Sequence, residues 1–438
     1  MKTIIKNGTI VNADNEQIAD ILIENDKISK IGDCSNIEVD KTIDASGKFV
    51  IPGGIDPHVH MHLPTPAGYS SDDFESGSKA ALFGGTTTII DFVTPEKGQS
   101  LVEAYKLRVS EAQNAHINVK FHVSPIEWLE NTAAEMEELV IKYGVTSFKI
   151  YLAYKGAVGL NDDVIIKVLE TAKKLGVLVT AHCENDEIIN ILRKKFISEG
   201  KTSPKYHALS RPAEAEVDAI RRLILFARYI ETPVYIVHVS TKNGVEMIKK
   251  AQSKGLPVYA ETCPHYLLLE ESVYEGDFEK TGKYVLSPPL RLKKDNEALW
   301  NAISDGTVQT VGTDHCPFNL KGQKDKGIND FTKIPNGAGG IEHRMELLYT
   351  YGVEKGLISM QKIVEITSSN AAGIFRLNNK GAIKEGFDAD IVIWNPQSSK
   401  TISLDNQHQN CDSNIYEGFK TKGKAETVIL NGEIIIDS

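Results

Sequence analysis

Two closely spaced histidines are the first residues along this sequence that could bind a metal ion together. His58 and His60 form a His-x-His pair at the end of the apolar run that begins at Pro52. Side chains alternate along a β-strand, so both imidazoles point to the same side and could bind one ion. By itself such a pair is more often structural than metal-binding, so further ligands are needed to support this interpretation.

Further candidate ligands follow other apolar runs of strand length. His182 ends the run from Val179, and His238 ends the run from Tyr235. Asp314 comes directly after a third run. Unrelated core histidines have no reason to occupy equivalent positions, so the recurrence favours one metal centre.

Lys149 lies inside another apolar run, between Phe148 and Ile150. Strand alternation leaves open whether its side chain points outward or toward the other candidates. In the second case its ammonium would lie beside the metal ions, where desolvation and like-charge repulsion disfavour it. Carboxylation of the amine by CO2 would remove this conflict, since a carbamate is an anion with two oxygens that could bridge two ions.

The elements that must position these residues alternate along the middle of the chain. Apolar runs of strand length are separated by longer segments with helical periodicity, which is typical of repeated βα units with a parallel sheet. We predict eight such strands, near residues 55–60, 86–92, 117–123, 147–152, 178–183, 234–239, 257–261 and 308–313.

Both ends of the chain differ from this middle region because they contain short β-branched runs separated by turn residues such as Asn7-Gly8 and Asn431-Gly432. The predicted fold is therefore α/β: a (β/α)8 TIM-like barrel with a small β-sandwich domain formed by the N- and C-terminal segments. We expect sandwich segments at residues 1–50 and 381–438 and the barrel at 51–380. Chemistry in such barrels occurs at the carboxyl ends of the strands, where the candidate ligands fall.

Composition narrows the possible partners. The net charge of −10 is spread along the chain, and no basic patch with interleaved aromatic residues occurs, which argues against nucleic acid as a partner. No apolar run reaches the roughly 18 residues needed to span a bilayer, and the first residues do not form a signal peptide. We expect a cytoplasmic protein without a membrane partner. The five cysteines are widely separated, so free thiols are expected.

Several longer motifs make a family resemblance explicit. From the Pro-Gly-Gly-Ile-Asp-Pro-His-x-His opening to the Asp388-Ala389-Asp390-Ile391-Val392 close, the chain resembles the hydantoinase and dihydropyrimidinase group of the cyclic amidohydrolases. Further matching segments are Asp73-Phe74, Phe83-Gly84-Gly85-Thr86-Thr87, Ser147-Phe148-Lys149, Ala153-Tyr154-Lys155, Ser287-Pro288-Pro289-Leu290-Arg291, Gly312-Thr313-Asp314-His315-Cys316 and Phe331-Thr332-Lys333-Ile334-Pro335-Asn336-Gly337.

The resemblance implies a role for each candidate ligand. His58, His60 and Asp314 would bind one divalent metal ion, and His182 and His238 a second. Lys149, carboxylated to N6-carboxylysine, would bind both. Zinc is the usual ion of this group, although nitrogen and oxygen ligands also fit manganese, cobalt or iron.

The resemblance also implies the reaction. A hydroxide that bridges the two metal ions would open 5-substituted hydantoins or 5,6-dihydropyrimidines to N-carbamoyl amino acids. Asp314 would carry the proton to the departing nitrogen, and Tyr154 would face the developing oxyanion. Ser287 and Asn336 would bind the cyclic amide, largely through backbone groups. Without the motifs, Tyr154 would be a packed aromatic residue and the other two would be turn residues.

Two enzyme alternatives and one non-enzymatic alternative accompany this interpretation. Dihydroorotases have an arginine two positions after the second histidine, where this chain has His62, so dihydroorotate is a poor candidate. Allantoin, itself a substituted hydantoin, is a nearer rival. A non-catalytic scaffold of the same group is disfavoured because every ligand position is filled. The resemblance further implies a homo-oligomer, either a tetramer or a dimer.

Overall fold

A computed structural model describes residues 2–437. In chain order, its strands are β1 Lys2–Lys6, β2 Thr9–Val11, β3 Glu16–Ile18, β4 Asp20–Glu24, β5 Lys27–Gly32, β6 Lys41–Asp44, β7 Phe49–Pro52, β8 Gly54–Val59, β9 Pro64–Thr65, β10 Gly68–Tyr69, β11 Thr86–Val93, β12 Asn118–Val123, β13 Ser147–Tyr151, β14 Leu178–His182, β15 Val234–Ile236, β16 Val258–Thr262, β17 Thr310–Val311, β18 Ile391–Thr401, β19 Lys420–Leu430 and β20 Glu433–Asp437. Its α-helices are α1 Phe74–Phe83, α2 Leu101–Glu111, α3 Thr132–Tyr143, α4 Asp162–Leu175, α5 Asp186–Ser198, α6 Pro204–Leu209, α7 Ala213–Ile230, α8 Lys242–Gln252, α9 Pro264–Leu268, α10 Phe278–Thr281, α11 Lys293–Ser304, α12 Arg344–Leu348, α13 Met360–Val364 and α14 Asn370–Ile374. None of the helices in this range is long and apolar enough to cross a membrane.

Parallel strands form a barrel at the centre of the described chain. The order is β17-β16-β15-β14-β13-β12-β11-β8. A parallel bridge between Val59, in edge strand β8, and His315, in the segment that follows edge strand β17, closes the sheet. Helices cover the outside, and their apolar faces pack against the strands in one large core. The structure thus confirms the predicted (β/α)8 barrel.

Helix α4 illustrates how the sequence shapes these units. Ile165, Val168, Leu169 and Ala172 recur every three or four residues, so their side chains lie on one buried face. The first turn contains two aspartates and the last turn two lysines, which complement the helix dipole. Gly176 ends the helix at φ 67°, a left-handed conformation that glycine adopts without steric cost.

The N- and C-terminal segments together form two sheets beside the barrel. The four-stranded sheet has the order β5-β4-β1-β6, and the six-stranded sheet has the order β20-β19-β18-β7-β2-β3. Ile5 and Ile23 of the first sheet share a buried core with Ile393 and Ile429 of the second. This packing is the predicted β-sandwich of N- and C-terminal segments. The domain boundaries at residues 50 and 380 stay a prediction.

An apolar cluster fills the amino-terminal end of the barrel. Ile55 and Tyr235, near the starts of their strands, pack with Ala371, Ala372 and Phe375 at helix α14. Since this end is filled, the carboxyl ends of the strands are left for binding and chemistry.

Strands β15 and β17 are shorter than predicted, whereas the other six agree with the prediction within one residue at each end. The ladders end early because side chains bind the backbone groups that a neighbouring strand would otherwise use. Glu261 Oε1 accepts the N–H of His238 at 3.1 Å, and Asp56 Oδ1 accepts that of Thr313 at 3.1 Å. The chain therefore leaves the strand conformation just before two candidate ligands.

Candidate active site

A cavity of about 840 Å³ opens at the carboxyl end of the barrel. Every site residue predicted from the sequence lines it: His58, His60, Lys149, Tyr154, His182, His238, Ser287, Asp314 and Asn336. Their positions on separate strands and loops explain why the set is dispersed in sequence.

Asp314 lies between the two histidines of the His-x-His pair. Its Oδ1 atom is 3.2 Å from Nε2 of His58 and 3.2 Å from Nε2 of His60. Both imidazoles therefore lie on one side of the strand, as side-chain alternation predicts. Two nitrogens and one carboxylate oxygen in this arrangement form a suitable ligand group for a divalent cation.

The other two histidines form a second group beside the first. Nδ1 of His182 is 2.8 Å from Nε2 of His238. The rings of His238 and His58 stack with centroids 5.3 Å apart. His58, His238 and Asp314 each offer a potential ligand atom within 4.8 Å of the others, so the two groups are continuous.

Buried carboxylates bind the nitrogens that face away from these groups. Glu261 Oε1 is 2.7 Å from Nδ1 of His58, and Glu184 Oε2 is 2.8 Å from Nε2 of His182. A carboxylate here fixes the ring orientation and keeps the proton on the outer nitrogen, which leaves the inner lone pair for a metal. Neither glutamate was predicted from the sequence as a site residue. The available signal was an acidic residue at the end of a predicted strand, or two residues after a candidate histidine.

The protonation states suit a metal site. Burial lowers the pKa of His58, His182 and His238, which favours the neutral imidazole that binds metals. Burial would raise the pKa of Asp314, but the neighbouring His58 and His60 hold it well below its usual range. Neutral imidazoles beside an ionised carboxylate therefore fit divalent cations.

Lys149 faces the cavity, so the alternative of an outward lysine is excluded. Its side chain is 1% exposed, and Nζ lies 4.5 Å from the ring centroid of Phe92 and 5.1 Å from that of Tyr151. Among residues 2–437, no carboxylate forms an ion pair with it. Burial lowers its pKa to about 8.

Tyr154 lies beside the histidines, with its ring centroid 5.2 Å from that of His182. The guanidinium carbon of Arg211 is 5.2 Å from the Tyr154 ring, and Arg211 also forms an ion pair with Glu184. Burial raises the pKa of Tyr154, and Arg211 only partly offsets this effect. The phenol therefore stays protonated at neutral pH and can donate a hydrogen bond.

Comparison with known proteins identifies the family. Residues 49–435 match the amidohydrolase family. The chain belongs to the amidohydrolase family. The D-hydantoinase of Geobacillus stearothermophilus is 44% identical, over 100% of this chain and 93% of its own length. The dihydropyrimidinase of Arabidopsis thaliana is 42% identical, over 99% of this chain and 82% of its own length.

The fold of this chain is also similar to that of a solved structure. The crystal structure of dihydropyrimidinase from Brevibacillus agri NCHU1002 matches with a TM-score of 0.98 and 42% identity, covering 100% of this chain and 95% of that one. This amidohydrolase therefore belongs to the hydantoinase and dihydropyrimidinase group, as its motifs indicated.

The two loops that carry Ser287 and Asn336 are joined in this amidohydrolase by a buried lysine that the sequence analysis missed. Nζ of Lys324 donates to the carbonyl oxygens of Val285, at 2.9 Å, and Pro335, at 3.1 Å. Burial lowers the pKa of Lys324 to about 7. No periodic pattern marks this residue, because it belongs to a short 3-10 helix inside a long loop.

Three site residues of the amidohydrolase have a left-handed backbone conformation without being glycine. Tyr154 has φ 64°, His238 φ 40° and Asp314 φ 49°. Each such residue costs roughly 1–3 kcal/mol and persists only where surrounding contacts hold it. The conformation directs all three side chains into the cavity.

Proposed function

We propose that this amidohydrolase hydrolyses cyclic amides, opening 5-substituted hydantoins or 5,6-dihydropyrimidines to N-carbamoyl amino acids. One observation carries the proposal. Two groups of buried donors meet in one cavity, and carboxylates bind the outer nitrogens of His58 and His182. Such support of ligand histidines is typical of metal sites.

The proposed cofactors are two divalent cations, with zinc as the ion. His58, His60 and Asp314 would bind one, and His182 and His238 the other. Lys149, as the carbamate formed with CO2, would bind both. Its burial without a carboxylate partner supports this assignment, because a carbamate supplies the anionic oxygens that the cations require.

The chain's own residues would orient the substrate and move the proton. When bound, the cations supply Lewis acidity that lowers the pKa of the attacking water and polarises the ring carbonyl. The Asp314 carboxylate accepts the proton of that water and delivers it to the departing ring nitrogen. Its depressed pKa keeps the carboxyl ionised at neutral pH. Ser287 and Asn336 bind the cyclic amide from the loops joined by Lys324.

Tyr154 donates its hydroxyl hydrogen bond to the oxygen that gains negative charge. A Tyr154→Phe variant should lose about 100-fold in kcat, the typical effect of removing one such donor. Steady-state kinetics at constant metal content measure this effect. Wild-type turnover in the variant would contradict the role of Tyr154.

His62 bears on the choice of ring because it occupies the position where an arginine would bind a substrate carboxylate. Its ring stacks on Tyr69 with centroids 4.0 Å apart, so no guanidinium is available there. Dihydroorotate is therefore not the proposed substrate. The cytoplasmic location expected from the sequence stays a prediction. The homo-oligomer implied by the resemblance, a tetramer or a dimer, also stays a prediction.

The test combines metal analysis with a substrate panel. Protein supplied with zinc and bicarbonate should contain about two metal ions per chain and open hydantoin, phenylhydantoin or dihydrouracil. Native mass spectrometry should detect the carbamate, and Lys149→Met should abolish both the added mass and the activity. Preference for allantoin would identify an allantoinase. A folded, metal-free protein that is inactive on every ring would identify a scaffold.

A further inference from the structure

Asp72 and His315 form a buried pair behind the proposed cation site. Both side chains are 0% exposed, and Oδ2 of Asp72 is 3.0 Å from Nε2 of His315. Nδ1 of His315 accepts the backbone N–H groups of Gly340, at 3.1 Å, and Ile341, at 3.3 Å. Because Nδ1 is an acceptor, the proton resides on Nε2, which donates to Asp72.

His315 connects this pair directly to two proposed ligands. It follows Asp314 in sequence, and its carbonyl oxygen accepts the N–H of His60 at 2.8 Å. It also forms the bridge with Val59 that closes the barrel. Since both imidazole nitrogens are bound, the peptide between Asp314 and His315 cannot rotate without breaking buried hydrogen bonds. These bonds can therefore hold Asp314 at its unfavourable φ of 49°.

The second oxygen of Asp72 binds two other parts of the molecule. Oδ1 accepts the hydroxyl of Ser76, in the first turn of α1, at 2.7 Å. It also accepts the backbone N–H of Asn410, in the segment between β18 and β19, at 2.8 Å. The carboxylate thus joins a barrel helix, a C-terminal segment and the loop after β17.

We infer that Asp72 is a positioning residue that acts through His315 to hold the Asp314 carboxylate and the His60 imidazole at the cation site. Asp72 itself does not line the cavity, so it does not act on substrate. The inference rests on the proposed function for its effect on turnover, but the ligand geometry it describes can be measured without turnover.

Asp72→Asn tests the inference because it keeps the volume and removes one acceptor oxygen. The single amide oxygen can accept from His315 or from Asn410, but not from both. We expect kcat to fall about 10- to 100-fold, with KM within about two-fold of wild type. The cobalt-substituted variant should show an altered visible spectrum and lose metal to a chelator about 10-fold more readily.

Two control variants separate positioning from simple stability. Ser76→Ala removes a donor from the same carboxylate without changing His315. Glu346→Gln removes the carboxylate charge from another buried pair, in which Glu346 Oε1 is 2.7 Å from Nδ1 of His343 and neither residue lines the cavity. Both controls should lower the melting temperature while kcat and the cobalt spectrum stay those of wild type.

The inference is overturned if Asp72→Asn keeps the wild-type kcat, spectrum and metal retention, or if Glu346→Gln, at a similar fall in melting temperature, loses kcat and metal to the same extent. If Asp72→Asn does not fold, His315→Gln removes the acceptor for Gly340 and Ile341, and an unchanged cobalt spectrum in this variant overturns the inference. Wild-type protein that binds cobalt but opens no ring contradicts the proposed function alone, and the spectra still decide the role of Asp72. Wild-type protein that binds no cobalt overturns both.

Discussion

The barrel has a regular half and an irregular half, and both contribute to the site. Strands β11 and β12 pair along six residues each, whereas β16 and β17 pair along only two. Lys149 and His182 lie within strands β13 and β14 of the regular half, which pair with each other along five residues. His238 and Asp314 follow the short strands β15 and β17 and have left-handed backbone conformations.

The two halves direct their side chains by different means. In the regular half, strand alternation decides which side chains lie on the same face, and closure of the barrel decides which face lines the cavity. In the irregular half, carboxylates from neighbouring strands bind the backbone next to the site. Glu261 accepts the N–H of His238, and Asp56 accepts both the N–H and the hydroxyl of Thr313. Ligand geometry there depends on residues that are not ligands.

The largest expected loss of kcat follows a substitution in the irregular half, at Asp314. Asp314→Asn removes both a proposed ligand oxygen and the proposed proton acceptor, so kcat should fall about 1,000-fold. Metal analysis should show loss of one ion while the site at His182 retains its own. Asp305→Asn, which removes an exposed carboxylate directly after α11 that pairs with Lys249, is the matched control and should retain full activity.

Turnover in Asp314→Asn close to that of wild type, at equal metal content, would show that another group moves the proton. Loss of both ions would show that the two donor groups are not separable. Either result would mean that Asp314, in the irregular half, does not have a role separate from that of the ligands in the regular half.

Sequence patterns predicted the regular half better than the irregular half for a physical reason. Apolar runs and alternation are local signals, and they located eight strands and the residues at their ends. The contacts that orient the ligands join distant positions, such as His58 and Glu261, which are 203 residues apart. Strand order has the same limitation: β2 pairs with β7 and β1 with β6 in parallel, which no local pattern indicates.

Lys149 marks the boundary between what was and was not predictable. Its residue type and its place in a strand were evident, but its direction required the barrel, because an isolated strand has no inside. The role of Lys324 could not have been predicted from the sequence, because it depends on hydrogen bonds to two carbonyl oxygens that lie in separate loops.

A pair of glutamine variants compares the two halves directly. Glu261 supports the His58 ring and the backbone of His238, whereas Glu184 supports only a ring, that of His182, and forms an ion pair with Arg211. Glu261→Gln should therefore weaken metal retention about 10- to 100-fold. Glu184→Gln should affect metal less and stability more, by about 3–5 kcal/mol, because it leaves the buried Arg211 without its partner.

Chelator competition and urea denaturation of the two variants measure these effects side by side. Burial raises the pKa of Glu261 to about 7. Burial would also raise the pKa of Glu184, but Arg211 lowers it to about 2. The two carboxylates thus differ in charge environment as well as in partners. The reverse order of metal loss would mean that backbone support in the irregular half matters less than ring support.

The smallest expected effect concerns Lys324, which joins the loops of Ser287 and Asn336. In Lys324→Met those loops lose two hydrogen bonds, so KM should rise a few-fold with kcat nearly unchanged. Burial lowers the pKa of Lys324 to about 7 in the folded protein, whereas its ordinary value, 10.5, applies to the unfolded chain. Between these values the unfolded chain binds more protons, so this residue makes the free energy of unfolding increase with pH by about 1 kcal/mol per unit.

Urea denaturation at pH 7, 8 and 9 should therefore show a smaller increase with pH in Lys324→Met than in wild type. Lys249→Met, at an exposed lysine of α8, is the control and should keep the wild-type increase. An identical increase in all three proteins would mean that Lys324 stays charged in the folded state. Its ammonium would then keep its proton between the two carbonyl oxygens, and the loops would be joined equally well across this pH range.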